Sequence, residues 1–84
     1  MPAKVTAGEL FGNRVRELRQ KRGLTQVELA ERCGVPQARV SEIEKGASAP
    51  TLVTILRLAV ALECKASALM SVFDRGDLVS LLPK

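Results

Sequence analysis

Residues 37–45 carry Gln37, Ala38, Arg39, Ser41, Glu42 and Lys45 around only two well-spaced apolar residues, Val40 and Ile43. The amide, guanidinium, hydroxyl, carboxylate and ammonium groups are donors and acceptors suited to recognition. A short helix with so narrow an apolar face must present its other sides to something. Catalysis fits the inventory poorly. The chain has no His, which excludes a His-based triad and a zinc site of the usual Cys/His kind. It has no Gly-rich phosphate loop, and its few carboxylates are explained by helix caps and surface charge. We therefore expect no enzyme, no metal and no cofactor.

The elements that hold this stretch are legible around it. Thr25 is a good N-cap, and Glu28 three residues later completes a capping box. Leu29, Ala30 and Cys33 give the helix that follows one apolar face. Gly34 supplies a left-handed residue to end it. Pro36 then fits the first turn of a new helix, which runs over about residues 37–45 and stops at Gly46. The small Ala30 lets the two helices cross closely, as in a helix-turn-helix.

Counted from Gln26 as the first position, this pattern resembles the helix-turn-helix of the phage Cro and repressor proteins, the xenobiotic response element family. The matches are Gln26, Ala30 at the fifth position, Gly34 at the ninth, Val40 at the fifteenth and Ile43 at the eighteenth, closed by Glu44, Lys45 and Gly46. The resemblance covers roughly residues 10–72. It implies an all-α, five-helix lambda-repressor-like DNA-binding domain whose second motif helix lies in the major groove. Double-stranded DNA is then the expected partner. Gln37 can bond adenine N6 and N7, Ala38 can touch a thymine methyl, Glu42 can accept from cytosine N4, and Ser41 suits several bases. Arg39 would reach a guanine or a phosphate, and is also placed to compensate Glu42 three residues on. Phosphates would be held by Gln26 at a helix N-terminus and by Lys45 and Ser48, with Arg14 and Arg22 as weaker candidates. The resemblance also implies an ion pair between Arg19 and Glu44, whereas Arg16 reads as an ordinary solvated residue.

Length and composition agree with a single small domain. Aromatics are limited to two Phe, so the core must be aliphatic. Thirteen basic against nine acidic residues leave a net charge of +4, which favours a polyanionic partner but only weakly. The two Cys read as free thiols, Cys33 as a small buried hydrophobe. The apolar run at residues 58–62 is too short to span a membrane, and no signal-peptide core precedes the domain. A cytoplasmic protein is expected.

Residues 1–7 read as a flexible arm, residues 8–73 as the DNA-binding domain and residues 74–84 as an apolar C-terminal extension. The first helix should run from residue 8 or 9 to about 21, burying Leu10, Phe11, Val15 and Leu18. A fourth, capped by Thr51, should cover residues 52–62 and pack Leu52, Ile55, Leu58, Ala59 and Leu62 against the first three. A fifth should cover about residues 66–72 with Leu69 inside. Five helices with short connections make an all-α bundle.

One module reads too little sequence for useful specificity. A homodimer on a palindromic operator, acting as repressor or autoregulator, answers that need. The fourth helix carries a second apolar stripe, Val53, Leu56 and Val60, and the tail adds Leu78, Val79, Leu81 and Leu82. These residues form the expected dimer interface. The alternative is a protein-interaction module, such as an antitoxin that binds a toxin and autoregulates its operon.

Overall fold

The structure, a computed structural model, describes residues 5–74 and 81–83. Five helices follow in order: α1 (Ala7–Lys21), α2 (Gln26–Cys33), α3 (Gln37–Glu44), α4 (Leu52–Ala61) and α5 (Ala66–Met70). No strand occurs among the described residues. Leu78 and Val79 lie outside the described residues.

Each boundary has a local cause. Thr25 Oγ1 accepts from the Glu28 N–H, and the Glu28 carboxylate accepts from the Thr25 N–H at 2.9 Å. The Thr25 backbone N–H most strongly, and then the Thr25 hydroxyl, hold the Glu28 carboxyl below its ordinary range. Thr6 and Glu9 form the same reciprocal box. Thr6 therefore caps α1 and Ala7 opens it, so the arm expected over residues 1–7 does not extend to these two. The Thr-x-x-Glu spacing at 6 and 9 repeats that at 25 and 28. Gly34 closes α2 in the left-handed conformation, at φ 73°. Pro36 precedes α3 as its N-cap, with no side chain capping that end. Thr51 caps α4 by accepting from the Thr54 N–H. α5 stops two residues earlier than expected. The Ser71 hydroxyl donates to the Ala68 carbonyl, a local bond that competes with helix continuation.

The core is aliphatic. Val15, Leu29, Val40, Ile43, Leu58, Leu62 and Leu69 are its most fully buried apolar side chains, with Phe11 and Cys33 beside them. Leu10 and Leu18 are half-buried at its edge. Burial pushes the Cys33 thiol up, the Arg57 charge opposing weakly, so Cys33 packs rather than reacts.

One core assignment fails. Leu52 is 70% exposed. α4 packs mainly on α2 and α5, through its C-terminal half, where Leu58, Ala59, Ala61 and Leu62 are buried. Its first turn leaves Leu52 and Val53 in water, and Ile55 is the residue there that reaches the core, half-buried against it.

α1 and α3 meet at very close range. A Cβ placed on Gly12 would lie 2.2 Å from the Ile43 carbonyl oxygen and 2.7 Å from that of Glu44. Only a residue without a side chain lets α1 sit on the end of α3. Gly12 was legible as an oddity, since a helix-interior glycine is destabilising unless packing requires it.

Candidate nucleic-acid interface

α3 turns Val40, Ile43 and Glu44 into the molecule. At about 100° per residue, the opposite side carries Ala38, Ser41, Glu42 and Lys45. Ala38, Glu42 and Lys45 are exposed and Ser41 is half-buried. Gln37 and Arg39 flank this strip on opposite edges. Gln37 is exposed on the edge next to α2, and Arg39 is half-buried on the edge next to the following loop.

The flank toward α2 is an ordered polar chain. The Glu44 side chain is fully buried. Arg19 grips it with two bonds, Nε to Oε2 at 2.6 Å and a terminal nitrogen to Oε1 at 3.1 Å. Arg19 also donates to the Leu24 carbonyl at 2.8 Å. This pairing is the one that the resemblance implies. Gln26 Nε2 donates to Glu44 Oε1 at 3.1 Å, and Gln37 Nε2 donates to Gln26 Oε1 at 3.4 Å. Burial alone would push the Glu44 carboxyl up. Hydrogen bonds from Arg19 and Gln26, with the charges of Arg19 and Arg16, outweigh it and hold the group below its ordinary range. Glu44 is an ionised, acceptor-only group.

Arg16 is not a merely solvated residue. Its Nε lies 3.5 Å from Glu44 Oε1, a second cation beside the buried carboxylate on the wetter side. Its position three residues before Arg19 was the available signal, because the two share a helix face.

Three expected phosphate or base ligands are occupied within the fold. Arg14 donates from Nε to the Ala68 carbonyl at 2.9 Å and pairs with Glu17. Arg22 donates to the carbonyls of Leu62 and Glu63 at 2.9 and 2.8 Å. These arginines brace α1 against α5 and the end of α4, where helix-end carbonyls attract cations. Arg39 donates to Ser48 Oγ at 3.2 Å, and no Arg39–Glu42 ion pair is present among the described residues. Arg39 therefore anchors the loop after α3, and Glu42 meets solvent uncompensated. The Ser48 hydroxyl, accepting from Arg39, keeps its proton to donate.

The helix ends around the strip are positive. At α2 the cap uses the Glu28 N–H, leaving those of Gln26 and Val27 without an intrahelical acceptor. At α3 no side chain caps the N-terminus. Gln26, Lys45 and Ser48 thus surround α3 with donors at two helix boundaries, an arrangement suited to phosphate oxygens on either side of a groove.

A family model described as Helix-turn-helix matches residues 15–69. The chain is 41% identical over 54 residues to the HTH-type transcriptional regulator y4dJ of Sinorhizobium fredii, covering 64% of this chain and 70% of that one. Among solved structures it is similar to the restriction-modification controller protein C.AhdI from Aeromonas hydrophila. The two share 40% identity with a TM-score of 0.73, over 74% of this chain and 94% of that one. It is also similar to the P22 c2 repressor, solved in complex with a synthetic operator. There the identity is 30% and the TM-score 0.66, over 70% and 89% of the two chains.

Proposed function

We propose, on the premise that this chain belongs to the Cro/C1-type Helix-turn-helix family, that it is a transcriptional regulator reading operator DNA with α3 in the major groove. The observation that carries this reading is the rigid presentation of α3. Val40, Ile43 and Glu44 are locked inside while Ala38, Glu42 and Lys45 stand uncovered. Gln37, Ala38, Ser41 and Glu42 are the base-reading set. Gln26, Lys45 and Ser48 hold phosphates. No helix among the described residues is long and apolar enough to cross a membrane, which is compatible with action on cytoplasmic DNA.

The working form is a homodimer on a palindrome. Val53, Leu56 and Val60 support it. They stay 58%, 46% and 79% exposed on one side of α4, lining a shallow apolar depression with Arg32 and Arg57. Leu81 and Leu82 are likewise exposed, which keeps them in the proposed interface. Apolar surface gathered this way marks an interaction site more than scattered residues do. A twofold copy seated there would hold two recognition helices about 34–36 Å apart, one DNA turn.

The test is selection of bound duplexes from random DNA, followed by a gel shift on the chain's own promoter. The expected product is a palindromic site with a shifted complex of two chains. Recovery of no enriched sequence would refute the reading.

A further inference from the structure

We propose that Ala38 and Glu42 together read one cytosine, and bind it more tightly when its C5 carries a methyl group. The chain would then sense cytosine methylation in its own site. This rests on the DNA reading proposed above.

The two residues lie one helical turn apart on the outward side of α3, about 40° apart around the axis and about 6 Å along it. Both are exposed. A helical side chain leans toward the helix N-terminus, so Glu42 covers the turn that holds Ala38. Ala38 has the smallest side chain in α3 and leaves room there. A carboxylate acceptor and a methyl group are thus offered side by side. Glu42 enters no ion pair among the described residues. Arg39, three positions before it, donates to Ser48 instead. Among phosphates such a carboxylate is repelled, and losing its water is costly unless a base donates to it.

The major groove offers two base donors, cytosine N4–H and adenine N6–H. Adenine N6 stands between two acceptors, its own N7 and thymine O4, and both repel a carboxylate. Cytosine N4 has an acceptor on one side only, guanine O6. On its other side is C5, which carries hydrogen in cytosine and a methyl group in 5-methylcytosine. Cytosine alone sets a donor directly beside a carbon that can bear an apolar group. That edge is the complement of Glu42 beside Ala38. A methyl at C5 adds apolar contact with Ala38 and leaves the N4 bond in place. Thymine has the methyl but puts O4 where the carboxylate needs a donor.

The experiment first compares selection from random DNA by wild type and by Glu42→Ala. The base pair that loses definition in the variant should be C·G. Wild-type affinity is then measured for four duplexes carrying cytosine, 5-methylcytosine, uracil or thymine at that position, each with its complement. All four have the same phosphates, so backbone affinity cancels in the ratios. Cytosine should be favoured over uracil by about tenfold. The methyl on cytosine should tighten binding by about fourfold per methylated position. Ala38→Gly should bring cytosine and 5-methylcytosine within about twofold of each other. Any loss of helix stability in that variant acts on both duplexes alike and leaves their ratio unchanged. Should it not fold, the wild-type ratios decide. Equal or weaker wild-type binding to 5-methylcytosine would overturn methylation sensing while leaving DNA reading intact. So would a methyl gain that persists in Ala38→Gly, or a loss of definition at A·T or at no position in Glu42→Ala. A wild type that enriches no sequence would overturn both.

Discussion

Lys45 and Glu44 are neighbours in sequence with opposite fates. Lys45 follows α3 as its C-cap, exposed and without an ion pair among the described residues. Its expected role is one phosphate. Lys45→Ala should weaken binding to all sequences alike and reduce the log–log salt slope by about 1. A titration series in salt measures this, and an unaltered slope would remove Lys45 from the interface. Glu44 belongs to the fold. Arg19→Ala would leave it buried without its main partner, so we expect a loss of about 3 kcal/mol in denaturant unfolding. A wild-type midpoint would mean that Arg16 and Gln26 suffice. The same carboxylate links stability to pH. Its folded pKa lies below the ordinary value of 4.5, so its contribution is present above about pH 4.5 and is lost as pH falls through the lower folded value. Melting temperature should therefore drop on acidification in that window, and more steeply for wild type than for Glu44→Gln. Equal slopes would assign the acid transition to other groups.

Elements meet through backbone as much as through side chains. Gly12 seats α1 on the last carbonyls of α3, and that seat aligns Arg16 and Arg19 with Glu44. Gly12→Ala raises helix propensity by about 1 kcal/mol but drives a methyl into backbone oxygens that cannot turn aside. The net expectation is a loss of about 1–3 kcal/mol, read by thermal or denaturant unfolding. A more stable Gly12→Ala protein would show that α1 can slide outward at little cost. The same contact explains why Gly46 follows α3. At φ 75° it favours glycine, and a Cβ there would lie 2.7 Å from the Glu9 backbone nitrogen. Arg14 and Arg22 reinforce the other side of α1 by bonding carbonyls at α5 and at the end of α4.

The whole molecule presents two unlike surfaces. One is the polar strip of α3 with its flanking donors. The other is the apolar side of α4, where Val53 and Val60 are uncovered. If a second copy covers it, Val53→Glu with Val60→Lys should give a folded monomer that binds one half-site weakly. Sedimentation and half-site titration measure both properties. A protein still dimeric with both substitutions would move the interface away from α4. Arg32 and Arg57 at the rim of the depression add charge there, so dimerisation should strengthen with salt while DNA binding weakens.

The amino-acid order by itself determined what depends on a few consecutive residues. Thr25 with Glu28, the left-handed Gly34, Pro36 before α3 and the spacing of Leu29, Ala30, Cys33, Val40 and Ile43 act within a turn or two. Their consequences were readable without coordinates, as was the family pattern built from them. Arg19–Glu44 was readable only through that pattern. Tertiary structure decided where long side chains end. Gln26, Arg19, Arg22 and Arg14 find acceptors 18, 25, 40 and 54 positions away. A flexible cation in a sequence looks the same whether it meets a phosphate, a carboxylate or a carbonyl. Folding also decided that Leu52 stays in water and that Gly12 must be bare. Burial follows from which helix lies opposite, and no periodicity within one helix carries that information.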